Sequence, residues 1–253
     1  MRSPAPRRPS SALFFLPLSI ATLSAVLAAQ VISHDARMLV PLGLLAALAI
    51  VPSLVRRWRM RRLLMSGDVE RVIGTWSGSI DRVAHRETMA PLLQATAYAA
   101  YGWVEAARRA LERAVRGPAW DAALEQRLFV ETLLDTFEGE RDAAVRKAEA
   151  LESLPLPPAG VLARKRVASL RRGLAAMARA FAHASRDDDA RVLHRAASAS
   201  PLVHWVMRYA EAIVALDRGR GGQVPAILSG APAWPADSAF HAYHAELIAR
   251  VGA

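Results

Sequence analysis

The sequence predicts an all-α fold: an N-terminal transmembrane helical hairpin followed by an α-solenoid of four to five helix pairs. Three observations predict it. Two uncharged runs occupy the first quarter of the chain, and apolar residues recur at helical spacing through the rest. In that remainder glycines and prolines also return at matching offsets, the mark of a repeat. β-branched runs are short, so strand signals are weak.

The hairpin comes first, in a membrane-anchor region covering residues 1–62. Residues 10–33 carry no charge. A helix crossing a hydrocarbon core of ~30 Å takes about 20 residues, so this run suffices, with the span at about 12–33. A second uncharged run covers 38–55, near the lower length limit, with Trp58 as an interfacial anchor. Only His34-Asp35-Ala36-Arg37 separates the two, so the spans are antiparallel. Neither contains an ionisable residue, which argues against an ion path or proton relay.

Charge placement orients the hairpin. The net charge of +10 first suggests a nucleic-acid partner. Residues 1–62, however, hold nine Arg and one Asp, and the remainder is nearly balanced. Arg2, Arg7 and Arg8 precede the first span; Arg56, Arg57, Arg59, Arg61 and Arg62 follow the second. By the positive-inside rule both termini are cytoplasmic, the protein is multi-pass in an inner (cytoplasmic) membrane, and the partner of this basicity is the lipid bilayer, not nucleic acid. A cleaved signal peptide is the competing reading, with Val26-x-Ala28 resembling a cleavage site. The second run would still anchor the chain in that case.

Residues 63–253 form the repeat domain. In the stretch 92–118, Ala95, Tyr98 and Gly102 are followed by Ala107, Leu111, Ala114 and Pro118. Glycine at 102 supplies a turn with positive φ; proline at 118 ends the second helix. Gly139 is followed at the same offsets by Ala144, Ala148, Leu151 and Pro155. Around Ser185 stand Ala178, Phe181, Ala190, His194, Ala197 and Pro201; around Gly219 stand Ala212, Ala215, Val224, Leu228, Ala231 and Pro235. A weaker unit centres on Gly67, with Val72 and Trp76. A proline-rich break falls at 155–160. Thr132 and Asp135 replace a small residue and an aromatic, Ser185 replaces the turn glycine, and Pro225 falls inside a second helix. Residues 237–250, with Phe240, Tyr243, Leu247 and Ile248 at helical spacing, predict a capping helix with Asp237 as N-cap. No breaker interrupts 56–65, so the second span runs directly into the first helix of the array.

This pattern resembles the tetratricopeptide repeat (TPR): a small residue, an aromatic, a turn glycine, then small and bulky residues and a closing proline. The layout is similar to that of HemY-like membrane proteins in architecture only. The resemblance implies a concave groove lined by the first helices of each pair. Here it would draw on Gln126, Phe129, Thr136, Arg172, Arg179, His183 and Tyr209, a set suited to an extended or helical segment of acidic character.

Other constellations read as structural. His241-x-x-His244-x-Glu246 puts two histidines on one helix face without a third aligned ligand. Asp187-Asp188-Asp189 precedes a helix and suits its N-terminus. Gly219-Arg220-Gly221-Gly222 lacks both nucleotide-binding patterns. Arg164-Lys165-Arg166 with Arg171-Arg172 reads as a solvated face. The chain lacks Cys, which excludes disulfides and thiolate chemistry. The expectation is therefore a membrane-anchored protein–protein interaction adaptor or assembly factor with an unidentified protein partner. It includes no catalytic residue, no metal, no cofactor and no small-molecule substrate. An obligate structural subunit of a membrane complex, or an enzyme with a site in the repeat domain, are the alternatives.

Overall fold

The computed structural model describes residues 39–80 and 82–252, and every regular element among them is helical. Two units divide the chain, residues 1–59 and 60–253. The first predicted span, 12–33, lies outside the described residues, as do Arg7 and Arg8. The second falls in helix α1, Leu39–Met65. In the first unit, Leu48, Ile50, Val51, Leu54, Val55 and Trp58 are exposed. Among the described residues no helix is long and apolar enough to cross a membrane. Within the stretch whose side chains are described, α1 soon reaches Arg56, Arg57, Arg59, Arg61 and Arg62.

The second unit is a stack of helix pairs: α2 Val69–Ile80, α3 Arg86–Ala100, α4 Val104–Glu112, α5 Pro118–Ala122, α6 Leu124–Glu138, α7 Arg141–Ser153, α8 Val161–Phe181, α9 Asp189–Ala199, α10 His204–Asp217, α11 Val224–Ile227 and α12 Ala239–Gly252. Partners α3 and α4, α6 and α7, and α8 and α9 pack on one another, and α4, α7 and α9 in turn lie beside α6, α8 and α10. Short connections force each pair antiparallel.

One turn geometry recurs at the ends of the first helices. Gly102, Gly139 and Gly219 all have positive φ. The residue after each donates its N–H to the carbonyl five positions back: Trp103 to Tyr98, Glu140 to Asp135, Arg220 to Ala215. This is the left-handed helix stop that glycine adopts without strain. The third pair departs from expectation. Its left-handed residue is His183, with Ala184 N–H on Arg179 O, and not Ser185 two positions on. The His183 imidazole sits 2.9 Å from Asp217, the last residue of α10, a contact that helps offset the strain.

Three further corrections concern helix ends. Pro118 does not close α4, which stops at Glu112; it occupies the first turn of α5, where the missing N–H costs nothing. Pro225 likewise stands in the first turn of α11, which is a single turn long, so Pro235 falls in the coil well beyond it. The last helix starts at Ala239, and Ser238, not Asp237, serves its N-terminus: Ser238 Oγ accepts from Phe240 N–H and donates to Tyr101 O.

Packing explains the small residues. Ala95, Ala99, Ala107, Ala110, Ala144, Ala148, Ala178, Ala196 and Ala197 are buried, letting helix axes approach. One close approach is at Gly173 of α8, where a Cβ would stand 2.5 Å from Ala196 Cβ. Asp135, at the position of a repeat aromatic, is 5% exposed and held by Lys147 at 2.8 Å. Arg108 of α4 binds Glu138, so an ionic network ties α4, α6 and α7 where an aromatic would otherwise pack. The carbonyls at the end of α1 are taken by two aromatics: Tyr101 Oη donates to Leu64 O at 2.6 Å and Trp205 Nε1 to Met65 O at 2.9 Å.

Candidate functional site

The first helices α3, α6, α8 and α10 present their C-terminal ends to one common surface. That surface is filled by the chain itself. After α11 the segment 228–238 turns back along Gly67, where a Cβ would stand 2.8 Å from Pro232 Cγ. It then passes Gly102, whose carbonyl accepts Ala239 N–H at 2.9 Å. From there α12 lays its apolar face across the array. Phe240, fully buried, stacks on Tyr209 with ring centres 4.8 Å apart and meets Phe137 edge-on at 5.4 Å. Tyr243 meets Phe181 edge-on at 5.2 Å. A cap at the end of a solenoid touches only the last pair; α12 with its lead-in touches α6, α8 and α10 and the turn that follows α3.

A polar chain locks the contact. Trp234 Nε1 donates to Tyr209 Oη at 2.7 Å, and Tyr209 Oη lies 3.0 Å from His244 Nδ1. Tryptophan only donates, so the tyrosine hydroxyl accepts there, and a second hydrogen bond joins it to His244 Nδ1. Burial pushes the Tyr209 hydroxyl well above the ordinary phenol range, which keeps its proton in place. Burial raises the Tyr243 hydroxyl in the same direction.

The predicted groove residues are therefore not one surface. Tyr209 is wholly buried beneath α12. Arg179 is committed to Asp189 through two hydrogen bonds, 3.0 and 2.6 Å, and Asp189 is itself 0% exposed. That pair is the main use of the Asp187-Asp188-Asp189 run; Asp189 also accepts Arg186 N–H, closing the turn before α9. Thr136 is buried and donates to Thr132 O. Phe129 is half-buried against the core. Arg172 is exposed on α8 near Glu152, and Gln126 is exposed at the start of α6 beside His85 and Met89. Only Thr136 and His183 share a cavity, of about 160 Å³, between the turn ends and α12. Asp217, Tyr243, Glu246 and Arg250 also line it.

The histidines have separate tasks. His241 Nδ1 lies 3.0 Å from Trp234 O and closes the turn into α12. His244 binds Tyr209, and Glu246 pairs with Arg250, so the three groups of that motif face different partners. Among the described residues no cluster of three or more metal-type ligands is formed. His194 contacts Glu211, and His204 Nδ1 lies 3.0 Å from Ala197 O. Arg171, in the basic run, is buried and binds Glu125 and Leu154 O; Arg164, Lys165 and Arg166 are exposed.

Sequence reasoning identified α12 as an amphipathic helix but not its place. The aromatics Phe240 and Tyr243 were the signal, one ring buried and the other half-buried against the array. No protein-family model matches the chain, and neither a curated protein nor a solved structure matches it.

Proposed function

We propose that this chain is a membrane-anchored, non-catalytic scaffold: a two-span N-terminal hairpin in an inner membrane, both ends cytoplasmic, carrying a TPR-like domain that holds a protein partner. The observation that carries the reading is α1. It runs unbroken from the uncharged stretch to Met65, and its last carbonyls are built into the helical stack through Tyr101 and Trp205. A segment that only targeted the chain would have no need of such bonds. The exposed apolar side chains from Leu48 to Trp58 fit a lipid-facing segment, and the arginines after them fit a cytoplasmic flank.

The filled groove refines the partner's place. With Phe240 and Tyr243 seated on Tyr209, Phe137 and Phe181, a peptide has no open channel between the first helices, so partner contacts fall to the outer faces. This supports a lasting assembly role, as scaffold or subunit, over capture of loose peptides.

Two measurements test the proposal. The full chain is expected to stay in the membrane fraction after alkaline carbonate extraction, and release would sink the anchor. Alkaline-phosphatase fusions are expected to be inactive after Ala253 and active when placed at Asp35; the reverse pattern would refute the orientation. For the partner, a photo-crosslinking residue at exposed Gln126 or Arg172 should trap a discrete adduct in native membranes. The same probe at Tyr209 should not.

A further inference from the structure

Beside α9 lies a cleft of about 330 Å³, bounded by α10 and the turn Gly221–Gln223. Its rim is cationic. Arg191 and Arg195 sit one helical turn apart on α9, so they share a face. Arg220 enters from the opposite side. It is placed by the left-handed turn at Gly219 and by its own N–H on Ala215 O. Ala215 and Ile227, both buried, form an apolar floor.

The charge of this cleft is uncompensated. Glu211 lines it, but that carboxylate is already engaged, with Arg208 at 2.8 Å and His194 at 3.3 Å. Arg191, Arg195 and Arg220 form no ion pair among the described residues. Three other arginines of the same helix pairs are satisfied: Arg179 by Asp189, Arg208 by Glu211, and Arg218 by Asp187 and the Arg186 carbonyl. Three guanidinium groups around one concavity repel one another, and an apolar floor weakens solvent screening beneath them. A planar guanidinium fork matches the oxygens of a phosphate group, which accepts two parallel hydrogen bonds from each arginine.

We propose that this cleft binds a phosphate-bearing group, its oxyanions bridging Arg191 and Arg195 on one side and Arg220 on the other. The group belongs either to a free solute or to an anionic lipid headgroup. The inference does not depend on the anchoring or partner reading above.

The test uses the full chain in nonionic detergent. One arm titrates inorganic pyrophosphate by calorimetry. A second adds phosphatidylglycerol to the micelles and follows its phosphorus resonance. Each arm compares the wild type with the triple variant Arg191→Gln, Arg195→Gln, Arg220→Gln and with a charge-matched control on α8, Arg164→Gln, Lys165→Gln, Arg166→Gln. The cleft variant is expected to lose affinity by about tenfold or more, since every charge-assisted contact to the oxyanions is removed. The control should change by less than about twofold. Pyrophosphate binding lost only in the cleft variant supports the site with a soluble phosphate source. Phosphatidylglycerol broadening lost only in that variant supports it with a lipid source. Absence of binding in both arms, or equal losses in both variants, overturns the proposal.

Discussion

The groove under α12 and the cleft beside α9 belong to one helical stack, and α10 contributes to both. Tyr209 from that helix lies in the groove and Glu211 in the cleft. Their chemistry is opposite. In the groove Trp234 Nε1, Tyr209 Oη and His244 Nδ1 are matched within the chain, and Phe240 is fully buried among aromatic rings. In the cleft Arg191, Arg195 and Arg220 are exposed and, among the described residues, have no carboxylate of their own. A surface whose groups are already satisfied contributes stability; a surface left unsatisfied is available for something else. Position in a repeat does not decide which of the two a concavity is. What decides is whether the same chain reaches it.

The sharpest way to break this contrast is Phe240→Ala. The ring is fully buried between Tyr209, Phe137 and Trp234. Its loss is expected to cost about 3–5 kcal/mol, transfer and cavity terms together. Urea unfolding of the full chain in detergent, followed by tryptophan fluorescence, measures it. A loss under about 1 kcal/mol would mean that α12 rests loosely on the groove and that the groove is open to other occupants.

A paired glycine substitution separates turn strain from groove occupancy. Gly102 and Gly139 both have positive φ, 74° and 83°. At Gly139 an added Cβ meets nothing within 4 Å, so Gly139→Ala bears only the left-handed strain of about 1–2 kcal/mol. At Gly102 the Cβ would stand 3.0 Å from Ser238 Oγ and 3.2 Å from the Ala239 nitrogen, under the lead-in to α12. Gly102→Ala should cost about 1 kcal/mol more and should speed proteolytic cutting within 229–238. Equal costs and equal cutting rates would show that α12 is not held at that point.

The reasons some of this was legible are local. Glycines at 67, 102, 139 and 219 each announce a turn because only they take positive φ without strain, and each stands at one. Pro225 stands where a second helix was expected, and that helix, α11, is a single turn with the proline in its first turn. Pro118 misled because proline suits the residue after a helix and the first residue of the next equally well. His183 carries no sign of its left-handed turn; the group that meets it, Asp217, arrives only with α10. Two of the seven groove residues are engaged inside the chain for the same reason. Arg179 and Tyr209 do sit on first helices, but Asp189, Trp234 and His244 claim them through tertiary folding. An apolar helical face says that something is buried, never against what.

Acid should bear on the helix shared by both regions. His204 heads α10, its ring edge-on to Trp205 at 4.8 Å. Burial, reinforced by Arg208 and Arg61, holds the imidazole below its ordinary value, against the opposing pull of the Ala197 carbonyl. The folded state thus binds the proton less readily than the unfolded state. Stability is full above the unfolded value of about 6.5 and falls as pH drops below it. Because the ring is partly solvated the effect is small, below about 1 kcal/mol. Unfolding midpoints at about pH 7.5 and 5.5, either side of the free-histidine value, should diverge more in the wild type than in His204→Gln. Identical divergence would remove His204 from the account.

The smallest expected effect is the most discriminating. The triple variant Arg191→Gln, Arg195→Gln, Arg220→Gln deletes three charges, yet none of them forms an ion pair among the described residues. Its stability should stay within about 0.5 kcal/mol of the wild type. The sign should be slightly favourable at low ionic strength, where mutual repulsion is relieved, and the difference should vanish in ~1 M salt, where the screening length is about 3 Å. The measurement belongs in a buffer without phosphate, because an anion bound only to the folded state raises its stability by mass action. Repeating it in phosphate then adds a second reading: the wild type should gain and the variant should not. A loss above about 1 kcal/mol in the phosphate-free buffer would make these arginines structural. The cleft would then differ from the groove only in appearance, and the distinction between satisfied and unsatisfied surfaces would fail for this molecule.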